Sequence, residues 1–176
     1  MKDHRIILGV TGGIAAYKAA ALLSRLVQAG ADVTVVMTTS ATQLVGPKTF
    51  EAISGKPVAL DLFGPSAHPH IELGADADLL CVAPATANIL AKAAHGLADD
   101  LLSTTLLAFD GPVLMAPAMN SRMWNKPSVQ RNLKQLTDDG VRFIGPGEGH
   151  LSCGETGVGR MAEPDEIFDA IQKLLK

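Results

Sequence analysis

Cysteine is scarce in this chain, with only Cys81 and Cys153 among 176 residues. Two thiols make neither the disulfide framework of a small secreted domain nor a zinc site, so a reducing, cytoplasmic setting is the expectation. No set of His, Cys, Asp and Glu has the spacing of metal ligands. An excess of positive charge is also missing. The formal net charge is −3, which leaves no basic footprint for nucleic acid. Long hydrophobic runs are absent, because Gly, Pro or Thr interrupts each one. None approaches the roughly 20 residues that span a bilayer, so no membrane partner is expected. The opening "MKDHRIILGV" enters a strand pattern directly, without the layout of a signal peptide. Internal repeats and low-complexity linkers are lacking as well.

What is present suffices for a core. Hydrophobic residues make up 47% and charged residues 19%, a balance that folds rather than stays disordered. The length fits one domain, 1–176. Short apolar runs alternate with helical patterns. Segments 5–10, 32–37, 77–84, 111–117 and 141–145 read as strands, with 56–63 as a short edge strand. Helical patterns cover 15–30, 86–96, 99–109, 128–140 and 164–176, and more weakly 41–54, where Pro47 interrupts. The stretch "PSAHPHIELG" reads as a polar loop. Continuous apolar strands joined by helices predict a three-layer α/β fold, Rossmann-like or flavodoxin-like, with a parallel sheet covered on both faces. Residues 145–160 hold six glycines and read as a mobile flap.

In such sheets ligands sit beyond the carboxyl ends of the strands. Those ends here carry Thr11-Gly12-Gly13-Ile14, Thr38-Thr39-Ser40, Thr86-Ala87-Asn88 and Ala118-Met119-Asn120. The glycines open a helix, where free N–H groups favour a phosphate, and Thr38, Ser40 and Thr86 add hydroxyls. The plainer reading is a tight turn followed by N-cap threonines. "GVTGGIAAYK" is neither a dinucleotide fingerprint nor a Walker A loop. No acidic residue is placed to grip an adenosine ribose, so a mononucleotide fits better than a dinucleotide.

The reactive candidates divide in the same way. His4 and His95 read as surface or packing residues, whereas His68 and His70 precede the third strand and have the chemistry of a general base. Cys81 lies in an apolar run and reads as inert core, while Cys153 lies among glycines and is reachable. Asp99 or Asp100 reads as a helix cap. Asn120 presents both a donor and an acceptor to a substrate carboxylate or amide. Trp124 either packs the turn or forms an apolar wall.

Four stretches, "HIELGADADLL", "APATANILAKAAHGLADDLLST", "PAMNSRMW" and "LSCGETGVGRM", resemble the flavin-containing cysteine decarboxylases. The likeness runs from about residue 5 to the end. It implies an FMN-binding domain and the oxidative decarboxylation of 4′-phosphopantothenoyl-cysteine to 4′-phosphopantetheine and CO2 in coenzyme A biosynthesis. The thiol-bearing carbon is oxidised first, so that a C=S group can accept the electrons the carboxylate leaves behind. By position, the resemblance assigns FMN to Gly12, Gly13, Ile14, Thr38, Ser40, Thr86, Ala87, Asn88 and Ala118. Gly13 and Thr86 stand where many relatives have serine, so Gly13 loses a hydroxyl that Thr86 keeps. The resemblance also assigns catalysis to His70 and Cys153, and substrate binding to Asn120, Met119, Leu151 and Ser152. It further implies a homo-oligomer, a trimer or dodecamer with FMN at a subunit contact, and a fused or partner phosphopantothenate-cysteine ligase. Three other activities share the fold: a decarboxylase of peptide C-terminal cysteines, a flavin prenyltransferase, and a non-enzymatic regulatory subunit. The PAMN stretch and Cys153 argue against the prenyltransferase, and His70, Asn120 and Cys153 together argue for an enzyme.

Overall fold

A computed structural model describes residues 1–63, 67–152 and 154–176. Five parallel strands form the central sheet, in the order β2-β1-β3-β4-β5. They are β1 (Arg5–Val10), β2 (Asp32–Met37), β3 (Leu79–Ala85), β4 (Val113–Pro117) and β5 (Arg142–Phe143). This is the expected flavodoxin-like α/β architecture. Side chains alternate along each strand, and both faces are buried. Ile6, Leu8 and Val10 join Leu79, Cys81 and Ala83 in one core, while Ile7 joins Leu80, Val82 and Ala85 in the other.

Helices close the two faces. On the first lie α1 (Ala16–Gln28), α3 (Pro47–Ser54) and α9 (Pro164–Leu174). Leu22, Leu23 and Leu26 of α1 are fully buried there, each contributing about 2 kcal/mol of transfer free energy. The Arg25 guanidinium lies 4.7 Å from the ring centroid of Phe168, tying α1 to α9. The second face carries α4 (Pro69–Ala75), α5 (Ala87–His95), α6 (Leu101–Ala108) and α8 (Pro127–Asp138). Two short helices, α2 (Thr39–Thr42) and α7 (Ser121–Trp124), follow β2 and β4. No helix among the described residues is long and apolar enough to cross a membrane.

Three sequence expectations change. Residues 56–63 form no edge strand. Ala59 makes one parallel bridge to Val36 and exchanges two hydrogen bonds with β2. The chain then turns away, with the Phe63 N–H donating to Asp61. The "polar loop" contains α4, started by Pro69 at its first turn with Glu72 favourably placed against the helix dipole. The interruption read at Pro47 is present, with α2 ending at Thr42 and Pro47 starting α3.

The third change concerns the glycine-rich segment. It forms an antiparallel hairpin, β6 (Gly147–His150) with β7 (Thr156–Arg160). The hairpin is held against the end of β4. The Met119 N–H donates to Gly159 O at 3.0 Å, and Ser121 Oγ donates to Val158 O at 2.8 Å. Gly159 has φ +144, and a Cβ there would stand 2.0 Å from Met119 O. Glycine serves here to bring two backbones together as well as to loosen one.

Candidate active site

The loops after β1 and β3 diverge at the point where the strand order reverses, which opens a crevice at the carboxyl ends of the strands. Thr11 spans it. Its hydroxyl donates to Pro84 O at 2.6 Å and accepts from the Thr86 N–H at 3.2 Å. Two cavities of about 470 Å³ each adjoin at Gly12, Thr86, Ala87 and Met123.

The first cavity has the glycine turn on one side and the β4 end and hairpin on the other. Gly13, Ile14, Ala118, Met119, Asn120, Leu151 and Ser152 line it. The second is lined by hydroxyls from Thr11, Thr38, Thr39, Ser40 and Thr86, together with Asn88. Every residue expected to hold FMN or substrate therefore lines one cavity or the other. Thr38 and Thr86 also cap α2 and α5 through their hydroxyls, so the plainer reading of these threonines holds as well.

Asn120 is more specialised than its sequence suggests. It is the N-cap of α7, and its Oδ1 accepts the Met123 N–H at 2.9 Å. The acceptor is thus engaged, and among the described residues Nδ2 donates to no protein group. What remains for a ligand is a donor, which suits a carboxylate.

The lysine in this region has partners already. Lys92 reaches the second cavity but lies between Asp99 and Asp100, at 2.5 and 2.6 Å. Burial alone would lower its pKa, yet the two carboxylates hold it above the usual lysine value. Asp100 also caps α6 in a capping box with Ser103, as the sequence suggested for this pair. Cys81 is fully buried, and burial pushes its thiol up to about 12, so it is inert.

His70 stands apart. It lines neither cavity. It occupies the second position of α4, its ring edge-on to His68 with centroids 6.5 Å apart. Its Nδ1 is buried and has no hydrogen-bond partner among the described residues. Cys153 lies outside the described residues. Trp124, on α7, is half-buried and lines neither cavity; its carbonyl accepts from Gln130 Nε2 at 2.7 Å.

A third cavity, of about 460 Å³, opens elsewhere, beside Arg5, Asp32, Lys56 and Asp76. Arg5 pairs there with Asp76 and Lys56 with Asp32, and Glu72 also lines it.

Lys18 and Arg160 also line the first cavity, and the sequence did not single them out. Lys18 reads as an ordinary surface lysine on an amphipathic helix. Only its proximity to the last two elements of the chain marks it.

The fold and these cavities define a flavin-binding class of protein, and the whole chain, residues 1–176, matches the model of the Flavoprotein family, to which it belongs. Among curated proteins it is 51% identical over 176 residues to the coenzyme A biosynthesis bifunctional protein CoaBC of Bacillus subtilis (strain 168), covering 98% of this chain and 43% of the relative. It is 46% identical over 174 residues to CoaBC of Haemophilus influenzae (strain ATCC 51907 / DSM 11121 / KW20 / Rd), covering 97% and 44%. The chain thus spans less than half the length of these relatives. Among solved structures, a PPC decarboxylase mutant complexed with pantothenoylaminoethenethiol superposes with a TM-score of 0.88 at 33% identity, over 98% of each chain. The FMN-dependent cysteine decarboxylase SpaF superposes with a TM-score of 0.85 at 37% identity, over 98% of this chain and 95% of that one.

Proposed function

We propose that this chain is a single FMN-binding domain that decarboxylates 4′-phosphopantothenoyl-cysteine to 4′-phosphopantetheine and CO2 in coenzyme A biosynthesis. One observation carries the reading: the unengaged amide donor of Asn120 shares a cavity with the glycine turn, next to a second cavity rich in hydroxyls. Kinship with CoaBC and with PPC decarboxylase supports the choice of substrate over a peptide.

The residues present fit FMN. The N–H groups of Ile14 and Ala15, just ahead of α1, have no hydrogen-bond partner among the described residues. Such groups suit a phosphate. Gly12 keeps the cradle open, since a Cβ there would lie 2.4 Å from that of Ser40. When bound, the flavin supplies reversible two-electron oxidation of the carbon that bears the substrate thiol.

The chain's own groups orient the substrate and move protons. Asn120 Nδ2 holds the carboxylate in line for departure, and Leu151 and Ser152 cover the substrate from the hairpin. His70 takes the thiol proton. It is absent from this chain's own cavity, so in this reading it comes from a neighbouring copy in a homo-oligomer built from trimers. Cys153 returns the final proton, as its motif implies. We place the reaction in the cytoplasm and a ligase for the preceding step on the same polypeptide or a partner, in keeping with the length of the CoaBC relatives.

The purified protein is expected to show flavin absorption and to release CO2 on addition of 4′-phosphopantothenoyl-cysteine. A colourless protein that releases none defeats the proposal. Gly12→Ala pushes the glycine turn off Ser40 and is expected to weaken FMN binding at least about tenfold, a loss of ~1.4 kcal/mol. Flavin retained through dialysis, read by absorbance, measures it.

A further inference from the structure

Every turnover of the proposed reaction consumes a proton. The carboxylate leaves as neutral CO2, and the carbon that bore it gains a hydrogen in its place. That proton has to come from solvent, into a cavity that the hairpin walls on one side. Four side chains that ionise line this first cavity: Tyr17, Lys18, His150 and Arg160. Phenol, ammonium and guanidinium groups ordinarily keep their protons near neutrality, whereas an imidazole exchanges one there. Lys18 and Arg160 are engaged besides, since Glu163 Oε1 accepts from Lys18 Nζ at 2.9 Å and from Arg160 Nη2 at 2.7 Å. Among the described residues, His150 is the only histidine that lines either cavity of its own chain.

His150 also meets solvent. It is exposed, at the end of β6, and an exposed histidine on a hairpin is ordinarily a solvated surface residue. This one differs in how its backbone is held. It pairs with Thr156 across the hairpin, and the next residue, Leu151, donates its N–H to Glu155 O at 2.8 Å. Arg122 Nη2 of α7 in turn donates to Glu155 Oε1 at 2.7 Å, two residues after the Asn120 cap. The residue is therefore fixed where water and the cavity of Asn120, Leu151 and Ser152 meet. The charged groups around it are Glu148 on its own strand, the Arg122–Glu155 pair, and Glu163 with its two cations. Among the described residues none of these carboxylates pairs with the imidazole, so no ion pair traps its proton.

We propose that His150 is the proton-entry residue of this site: it takes a proton from solvent and refills the acid that protonates the substrate carbon. This rests on the decarboxylase reading and deepens it. In that reading the acid is Cys153, three residues along the chain from His150. The steps balance. His70 removes the proton of the substrate thiol and returns it to the product thiol. Cys153 gives its own proton to carbon and is left as a thiolate. An N–H bond of the His150 imidazolium then breaks as the Cys153 S–H bond forms again. The neutral imidazole regains a proton from hydronium or a buffer acid, so one proton enters for each CO2 released.

The test follows product formed per active site when the FMN-loaded protein meets 4′-phosphopantothenoyl-cysteine in a rapid-quench experiment. A His150→Gln variant begins its first turnover with the acid charged but refills it slowly. It is expected to form the first equivalent of product per flavin within about twofold of the wild-type rate, and later ones at least about tenfold more slowly. Imidazole added to the buffer should restore the later turnovers of the variant and leave the wild type unchanged. His150→Asn should behave alike. Flavin absorbance and melting temperature should match the wild type in both, because the side chain is exposed. An unchanged steady state makes His150 a solvated surface residue and overturns the proposal. First and later turnovers slowed alike, or later turnovers that imidazole does not restore, overturn it too and leave the decarboxylase standing. A wild type that forms no product removes the decarboxylase reading, and proton entry with it.

Discussion

Asn120→Asp is expected to lower kcat/KM for 4′-phosphopantothenoyl-cysteine by about two to three orders of magnitude while leaving the fold intact. The substitution separates the two ends of the side chain. Aspartate caps a helix as well as asparagine does, so the hydrogen bond from the Met123 N–H and the start of α7 survive. The melting temperature should therefore move by no more than about 2 °C. The donor at Nδ2 is lost, and a negative charge faces the substrate carboxylate in its place. A hydrogen bond to a charged group contributes about 1.5–3 kcal/mol, and like-charge repulsion adds to the loss. Steady-state kinetics beside a thermal melt decide the matter. Unchanged kcat/KM would remove Asn120 from the site, and a large fall in melting temperature would mean that the cap, rather than the donor, had been disturbed.

His70→Asn is expected to reduce CO2 release by about 10²–10⁴-fold, the usual worth of a positioned general base, with FMN still bound. The more informative experiment mixes two inactive variants. If His70 serves the cavity of a neighbouring copy, then His70→Asn and Asn120→Asp chains, unfolded and reassembled together, contain sites built from the intact half of each. With random assembly in a closed ring, about a quarter of the sites carry both intact residues, so the mixture should recover up to about a quarter of wild-type activity. Each variant alone should stay inactive. A mixture as inactive as its parts would place His70 and Asn120 in service of the same chain's cavity, against the geometry seen here.

Much of the fold was legible because the signals were local. Strands such as "LLCVAPA" are apolar without a break and are buried on both faces. The pair Asp99-Asp100 announced a helix start by its place ahead of an apolar run, and Asp100 is the cap. The misreadings also had local causes. The stretch around Pro69 was read as a polar loop, although a proline at the first turn of a helix gives up an N–H that is unpaired there anyway. The glycines of 145–160 were read as loss of structure, whereas Gly159 permits a backbone contact with Met119 that no side chain would allow. Of the site residues, those at strand ends were found by a rule of topology, and Leu151 and Ser152 by resemblance. Arg160 lies in a stretch that carries the resemblance, but nothing local joined it to Lys18, because 142 positions separate them and only the packing of α9 on α1 brings Glu163 between them.

By itself, then, the order of residues determined the parallel sheet, its two apolar faces and the small, hydroxyl-bearing rim at its carboxyl edge. These follow from periodicity and from residue type, which act over a few positions at a time. Only the tertiary structure decided which face of Asn120 stays available, which cations meet on Glu163, and that His70 lies away from its own chain's cavity. Each of those depends on where distant segments come to rest against one another, and no local pattern encodes that.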